Sequence, residues 1–368
     1  MKFFLSLFSC VIWIMPDCKS QAFFSAAAKV HDTTAFKADS VIFTRDSLHF
    51  GATISWPANR EACPGIVLVS GTGQQNRDGL MAGHPVFKEL AAFLNGIGFA
   101  VLRMDDRGVG QTNGVYETAT TADFAADALV AAAFLKHQKG ITKVGLMGHS
   151  EGGAAVCIAA AQSKEPAFIV SLAGLAAPGL EALKAQNRAI VDGTAGISDS
   201  KRMRLNMLND SVFTTIAQHV SDSDSGMIRA VRGTYERWKL KDNAMLKPDS
   251  NAFRERIYFP IDRFSIQAAG RWFRFHIAYH PAAYMPAIKV PVLAINGDKD
   301  IMVPASVHLP YFQKYTGKGI LTTVVISQMN HLLQECVSCK PDEYAKPTQH
   351  LHPQLLAALG NWLLLQKR

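Results

Sequence analysis

Hydrophobic and polar positions change their period several times along this chain. Residues 40–44 and 49–56 are two β-type runs separated by Arg45-Asp46-Ser47, a pattern that predicts an N-terminal antiparallel hairpin. Continuous apolar runs follow at 65–70, 99–104, 143–148, 166–174, 290–297 and 320–326. Runs without alternation are expected of strands whose two faces are both covered. Between them lie segments of helical character at 85–96, 121–136, 154–162 and 352–366, with another opening at Val303-Pro304. Thr121 is the expected cap of the second of these. Strands alternating with helices predict an α/β fold: a mostly parallel central sheet flanked by helices, with functional loops at its carboxyl edge.

The alternation is interrupted once. Over 178–284 strand signals vanish, and more charged amphipathic stretches take over, including 180–190, 201–218 and 227–239. The interruption falls where a helical lid could cover the active edge. Aromatic residues cluster near its end, among them Trp238, Phe253, Tyr258, Phe259, Phe264, Trp272, Phe273, Phe275 and Tyr279. They suit either an apolar binding wall or the lid's own core. The domain reading is therefore a core over 40–368 with a lid insertion at 178–284.

Composition changes this picture little. With 18% charged and 48% hydrophobic residues over 368 positions the chain has an ordinary globular make-up, and its net charge of +8 is scattered. No basic run or aromatic-interleaved stripe points to nucleic acid. Residues 1–20 read as a signal peptide, with Lys2 ahead of an apolar core too short to span a bilayer and a polar stretch from Pro16 to Ser20. The expectation is an exported protein, periplasmic or secreted, with no stable membrane span; lipid anchoring at Cys10 is the alternative. Of the cysteines downstream, Cys157 suits a helix core, and Cys63 precedes a strand. Cys336 and Cys339 fit a local disulfide in an exported protein, with a zinc site shared with His350 and His352 as the alternative.

Candidate chemistry sits at strand ends. Gly148-His149-Ser150-Glu151-Gly152 joins an apolar strand to an alanine-rich helix, the context in which G-x-S-x-G forms a sharp turn presenting its serine. The loop from Ser70 to Gly79 has no Lys after its glycines, so a Walker A reading fails. It suits a loop offering the backbone N–H of Thr72, or of Gly73, to a bound carbonyl, with a plain structural turn as the alternative. Asp105-Asp106-Arg107-Gly108-Val109-Gly110 lacks the third glycine of a dinucleotide fingerprint, and an Asp106–Arg107 ion pair is expected there. Asp298 and Asp300 follow the strand at 290–297, and His331 follows the last strand. Ser150, an aspartate and His331 thus occur in the order serine, acid, histidine.

These motifs resemble the α/β-hydrolase superfamily, and more narrowly bacterial carboxylesterases. The matching pieces are Ser70 to Gly79, Asp105 to Gly110, Gly148 to Gly153, Val290 to Pro304 and Asn330-His331-Leu332-Leu333-Gln334. The resemblance spans about residues 40–368. It implies the α/β-hydrolase fold, with Asp300 rather than Asp298 as the acid partner of His331, Ser150 as nucleophile, and backbone amides of Thr72 and Glu151 as oxyanion donors. It also implies a small-molecule ester substrate of short to medium acyl chain, with no metal or organic cofactor. The His-Gly of many relatives is Ser70-Gly71 here, and Gln75-Asn76 also departs from the usual pattern. Two alternatives remain on the same fold: a small-peptide serine peptidase and a non-catalytic binding protein.

Overall fold

The computed structural model describes residues 37–246, 255–345 and 351–367. The signal-peptide and lipid-anchor expectations, together with Phe253 and His350, lie outside the described residues. Among those described, no helix is long and apolar enough to cross a membrane.

The expected hairpin is formed by β1 (Ala38–Arg45) and β2 (Leu48–Ser55), antiparallel from Ala38↔Ser55 to Arg45↔Leu48. It feeds β3 (Cys63–Val69), the short β4 (Leu80–Met81) and β5 (His84–Pro85), and β6 (Ala100–Met104). Then come β7 (Ile141–His149), β8 (Ile169–Leu172), β9 (Val292–Gly297) and β10 (Leu321–Ile326). The main sheet has eight strands in the order β1-β2-β6-β3-β7-β8-β9-β10. The β2–β6 pairing is antiparallel, and every pairing from β6 to β10 is parallel. The apolar run at 166–174 supplies only four strand residues, because pairing with both neighbours is confined to Ile169–Leu172.

Every residue of β3 is buried, and its alternate side chains divide between two cores. Val67 and Val69 join the core under α2 (Thr121–Lys136) and α3 (Glu151–Gln162). Ile66 and Leu68 join the core under α1 (Val86–Gly96) and α10 (Pro353–Gln366). Period-2 burial on both faces is what leaves no polar position in the sequence run. The cap of α2 is Thr120 rather than Thr121: its hydroxyl accepts from the amide of Asp123, whose carboxylate answers the Thr120 amide in a capping box. Thr121 is spared for a different bond, described below.

Between β8 and β9 the alternation gives way to a helical insertion: α4 (Gly179–Gly193), α5 (Asp199–Gln218), α6 (Asp224–Met245), α7 (Ile261–Ala269) and α8 (Arg271–Ala278) among the described residues. α9 (Ala305–Tyr315) then follows β9. The insertion has its own core, which takes in Trp238, Phe259, Phe264 and Phe273. Tyr258 stays largely exposed, at 69%. Within that core Arg204 is buried against the carboxylate of Asp242. Tyr279 and Phe275 pack on the sheet's core instead, while Trp272 packs partly against the insertion core and also lines the cavity described below.

Candidate active site

Ser150 stands between β7 and α3 with φ 56° and ψ −118°, a strained conformation for a residue with a side chain. Two close approaches make the turn. A Cβ on Gly148 would lie 2.0 Å from the Gly152 carbonyl oxygen, and one on Gly152 would lie 2.3 Å from that of Val69. Glycine is thus required on both sides of the elbow. The free N-terminus of α3 begins directly after the serine, placing unpaired N–H groups and the positive end of the dipole beside its hydroxyl.

Asp300 and His331 come from the exits of β9 and β10. These turns meet because Gly297 has no side chain: a Cβ there would lie 2.0 Å from the Met329 carbonyl oxygen. His331 Nδ1 and Asp300 Oδ2 are 2.9 Å apart, both residues buried. The other carboxylate oxygen accepts from the amides of Met302 and Val303, each at 2.8 Å. Burial opposes ionisation of Asp300, but the His331 imidazole and these two amides outweigh it and hold its pKa below the ordinary value. The carboxylate therefore accepts, Nδ1–H donates, and Nε2 is left as the basic nitrogen. Asp298 is occupied elsewhere, accepting from the Gln328 amide at 2.7 Å.

The Asn-His-Leu-Leu-Gln segment is a clasp. Asn330 Oδ1 accepts from the amides of Leu332 and Gln334, and its Nδ2 donates to Gln334 Oε1 at 3.1 Å. His149, on β7, fixes the same turn from beneath: its Nε2 donates to the His331 carbonyl at 2.8 Å. Burial first, then the neighbouring His331, depress the His149 pKa to about 3, so this ring is a neutral strut.

The expected Asp106–Arg107 pair does not form. Arg107 makes a two-pronged bond with Asp127 of α2, at 2.7 and 2.9 Å. Asp106 instead accepts from the Ser70 hydroxyl and from the Gln75 amide at 2.8 Å. Adjacent residues in this tight loop face opposite ways, which sequence adjacency concealed. Asp105 takes the Arg77 amide at 2.8 Å and its guanidinium at 2.6 Å. The loop from Ser70 to Gly79 is thus bolted at three points to the segment after β6. Gly71 lies against the serine, since a Cβ there would be 2.9 Å from that of Ser150. The Gly73 amide is taken by the Tyr116 hydroxyl at 2.7 Å, which leaves Thr72 as the candidate first amide donor.

Glu151 follows the serine and is 1% exposed. Its Oε2 accepts from the Thr72 hydroxyl at 2.7 Å; its Oε1 accepts from Thr121 at 2.6 Å and from the Trp272 indole N–H at 2.8 Å. The motif requires only the backbone at this position, so nothing in the sequence signalled a role for the side chain.

Ser150, His331, His149 and Thr72 line one cavity of about 110 Å³. Its remaining walls come from the loop after β3 (Gly71, Gln75), from Met81, Ala82, Leu175, Met302 and Leu332, from the insertion (Ala182, Leu183, Gln186, Trp272, His276), and from Pro341 and Tyr344. No Asp, Glu, Lys or Arg is among these described residues. Cys336 and Cys339 are joined in a disulfide just before Pro341, so the zinc alternative has lost both its sulfur ligands. The Ser338 hydroxyl and the Val337 and Cys339 amides all donate to Glu343, folding this stapled segment beside the cavity.

Known proteins resemble this chain over most of its length. Esterase EstD of Thermotoga maritima is 22% identical over 312 residues; the match covers 84% of this chain, which spans 64% of that relative's length. Two solved structures share the fold. The Pyrococcus furiosus esterase Pf2001 has a TM-score of 0.54 at 13% identity, covering 92% of this chain and 93% of its own. Est1E of Butyrivibrio proteoclasticus, solved with ferulic acid bound, has a TM-score of 0.50 at 17% identity, covering 89% and 98%. The model of the alpha/beta hydrolase fold family matches residues 66–335, and the chain belongs to that family.

Proposed function

We propose that the protein is a serine hydrolase of small, neutral carboxylic esters, with Ser150 as nucleophile, His331 as base and Asp300 as its orienting acid. The observation carrying this is the Asp300–His331 bond opening onto the cavity that also holds the strained Ser150. Ser150 Oγ attacks the ester carbonyl while His331 Nε2 takes its proton, and the carbonyl oxygen becomes an oxyanion. Asp300 stabilises the imidazolium. The amides of Glu151 and Thr72 receive the oxyanion, each worth about 3–4 kcal/mol in comparable sites. Collapse of the tetrahedral adduct breaks the ester C–O bond, and His331 returns the proton to the leaving alcohol. Water then repeats the sequence on the acyl-enzyme, releasing the acid.

The neutral wall supports esters over peptides. A small-peptide hydrolase needs a group that grips the substrate amine, and the described lining residues offer no carboxylate for it. The cavity volume favours short to medium acyl chains, with the helical insertion serving as a lid. The cysteine pair in a disulfide accords with an exported protein. The test is a series of 4-nitrophenyl acyl esters alongside proline and alanine 4-nitroanilides, run on wild type and Ser150→Ala. Turnover of short esters that Ser150→Ala abolishes, without turnover of the anilides, is the expected result. Anilide turnover would favour the peptidase, and rates unchanged in Ser150→Ala would end the proposal.

A further inference from the structure

The Glu151 carboxylate is a junction of three separate elements. Thr72 belongs to the loop after β3, Thr121 to the start of α2 and Trp272 to α8 of the insertion, and all three donate to the two oxygens of one buried side chain. Trp272 also stacks on His276, with ring centroids 4.7 Å apart and planes 22° from parallel, and both rings line the cavity. The Thr72 side chain is therefore held by the same group that holds the wall of the insertion facing the substrate space. The main chain of Glu151 supplies the second amide beside Ser150.

We infer that the Glu151 side chain is a positioning residue that transmits the seating of helix α8 to the oxyanion donors. When the Trp272 indole is docked on Oε1, the carboxylate is fixed, Oε2 holds the Thr72 hydroxyl, and the Thr72 amide is aimed at the developing oxyanion. When α8 lifts, the carboxylate loses one of its three anchors and the Thr72 loop loosens. The consequence is a site that reaches full transition-state stabilisation only with the lid helix down on its substrate. Such a device acts on the chemical step, because a donor aimed at charge that develops only in the transition state changes kcat rather than KM. This rests on the reading of Ser150 as nucleophile and of Thr72 as an oxyanion donor.

The test uses Thr72→Val and Trp272→Phe, singly and together, with Glu151→Gln. Thr72→Val keeps the backbone amide and removes only the hydroxyl. Trp272→Phe keeps an aromatic wall over His276 and removes only the indole N–H. Each variant is assayed for kcat and KM on 4-nitrophenyl butyrate, for the rate of Ser150 phosphonylation by a neutral fluorophosphonate, and for Tm. The expected result for each single variant is a loss of about tenfold in kcat and in phosphonylation rate, a part of the 10²–10³ lost with a whole oxyanion donor. KM is expected to stay within about twofold. The double variant is expected to lose little more than the worse single one, because both act through one carboxylate. Glu151→Gln is expected to fall in the same range, since an amide can accept on one side only. Independent, multiplicative losses, or a Trp272→Phe effect confined to KM, would overturn the inference while leaving the catalytic assignment intact. A wild-type protein whose Ser150 is not phosphonylated would overturn both.

Discussion

Replacing Asp300 by asparagine changes one atom and reverses the logic of the site. Wild-type Oδ1 accepts from the Met302 and Val303 amides, and Oδ2 accepts from His331 Nδ1–H. An asparagine at 300 has one acceptor and one donor end. The two amides select its oxygen, because both donate at 2.8 Å in a buried turn and an NH₂ group there would leave three donors facing one another. The NH₂ must then point at His331 Nδ1, which can only accept it as the other tautomer. Nε2 becomes protonated, and the base is lost without any change of shape. In serine hydrolases whose triad acid is converted to its amide, this tautomer switch lowers kcat by about 10⁴-fold, or roughly 5 kcal/mol of barrier. The assay is steady-state turnover of 4-nitrophenyl butyrate by folded Asp300→Asn, with Tm and circular dichroism as controls. We expect kcat to fall by about 10³–10⁴ with KM little changed. A folded variant within tenfold of wild-type kcat would refute the claim that Asp300 sets the tautomer of His331.

Further expectations follow from other parts of the site. Gly148→Ala places a Cβ 2.0 Å from a backbone oxygen that cannot move without opening the elbow, so a fall in soluble yield and Tm is expected; Gly193→Ala, whose Cβ meets nothing within 4 Å, is expected to stay within about 0.5 kcal/mol of wild type in urea melts. Burial first, then the charges of Glu151 and Asp105, outweigh the bonds from Ser70 and Gln75 and raise the Asp106 pKa to about 7. The folded state then binds a proton that the unfolded chain, at an ordinary carboxylate pKa, has released. Stability from this group is fully present below about pH 4 and is lost as pH rises to about 7, so Asp106→Asn should flatten the fall in Tm between about pH 4 and 7. Opening the Cys336–Cys339 bridge closes only a short loop less, worth about 2 kcal/mol on chain entropy. Because Pro341 and Tyr344 line the cavity just beyond it, the Cys336→Ser/Cys339→Ser variant is expected to raise KM for esters while Ser150 still labels with a fluorophosphonate; an unchanged KM would detach this segment from substrate binding.

The sheet is legible because strands buried on both faces leave uninterrupted apolar runs, as in β3, β6, β7 and β9; β10 is an apolar-rich edge strand in which only Ile326 is buried. The elbow was legible because Gly148 and Gly152 are demanded by backbone contacts that no other residue permits. Asp300 was separated from Asp298 by resemblance alone; the structure adds the reason, the Met302 and Val303 amides. What escaped notice was side-chain traffic between distant segments. Thr120 took the cap expected of Thr121, freeing Thr121 for Glu151, thirty residues away. Asp106 turned to Ser70 rather than to its neighbour. The side chains of His149 and Glu151 suit structural or pocket-lining roles in the sequence, and the structure supplies their partners: one props the His331 backbone and the other gathers Thr72, Thr121 and Trp272. The Thr120–Asp123 capping box is a local signal, whereas the other bonds have no local pattern, because each joins segments brought together only by the folded sheet.

Covalent capture tests the central claim most directly. Wild-type protein is treated with a neutral fluorophosphonate at neutral pH, and the adduct is located by mass spectrometry of peptides. The account predicts one phosphonyl group per chain, carried on Ser150, with labelling abolished in Ser150→Ala and strongly slowed in His331→Ala. An unlabelled Ser150 in folded protein, or an adduct on another residue that accounts for the ester turnover, would contradict it.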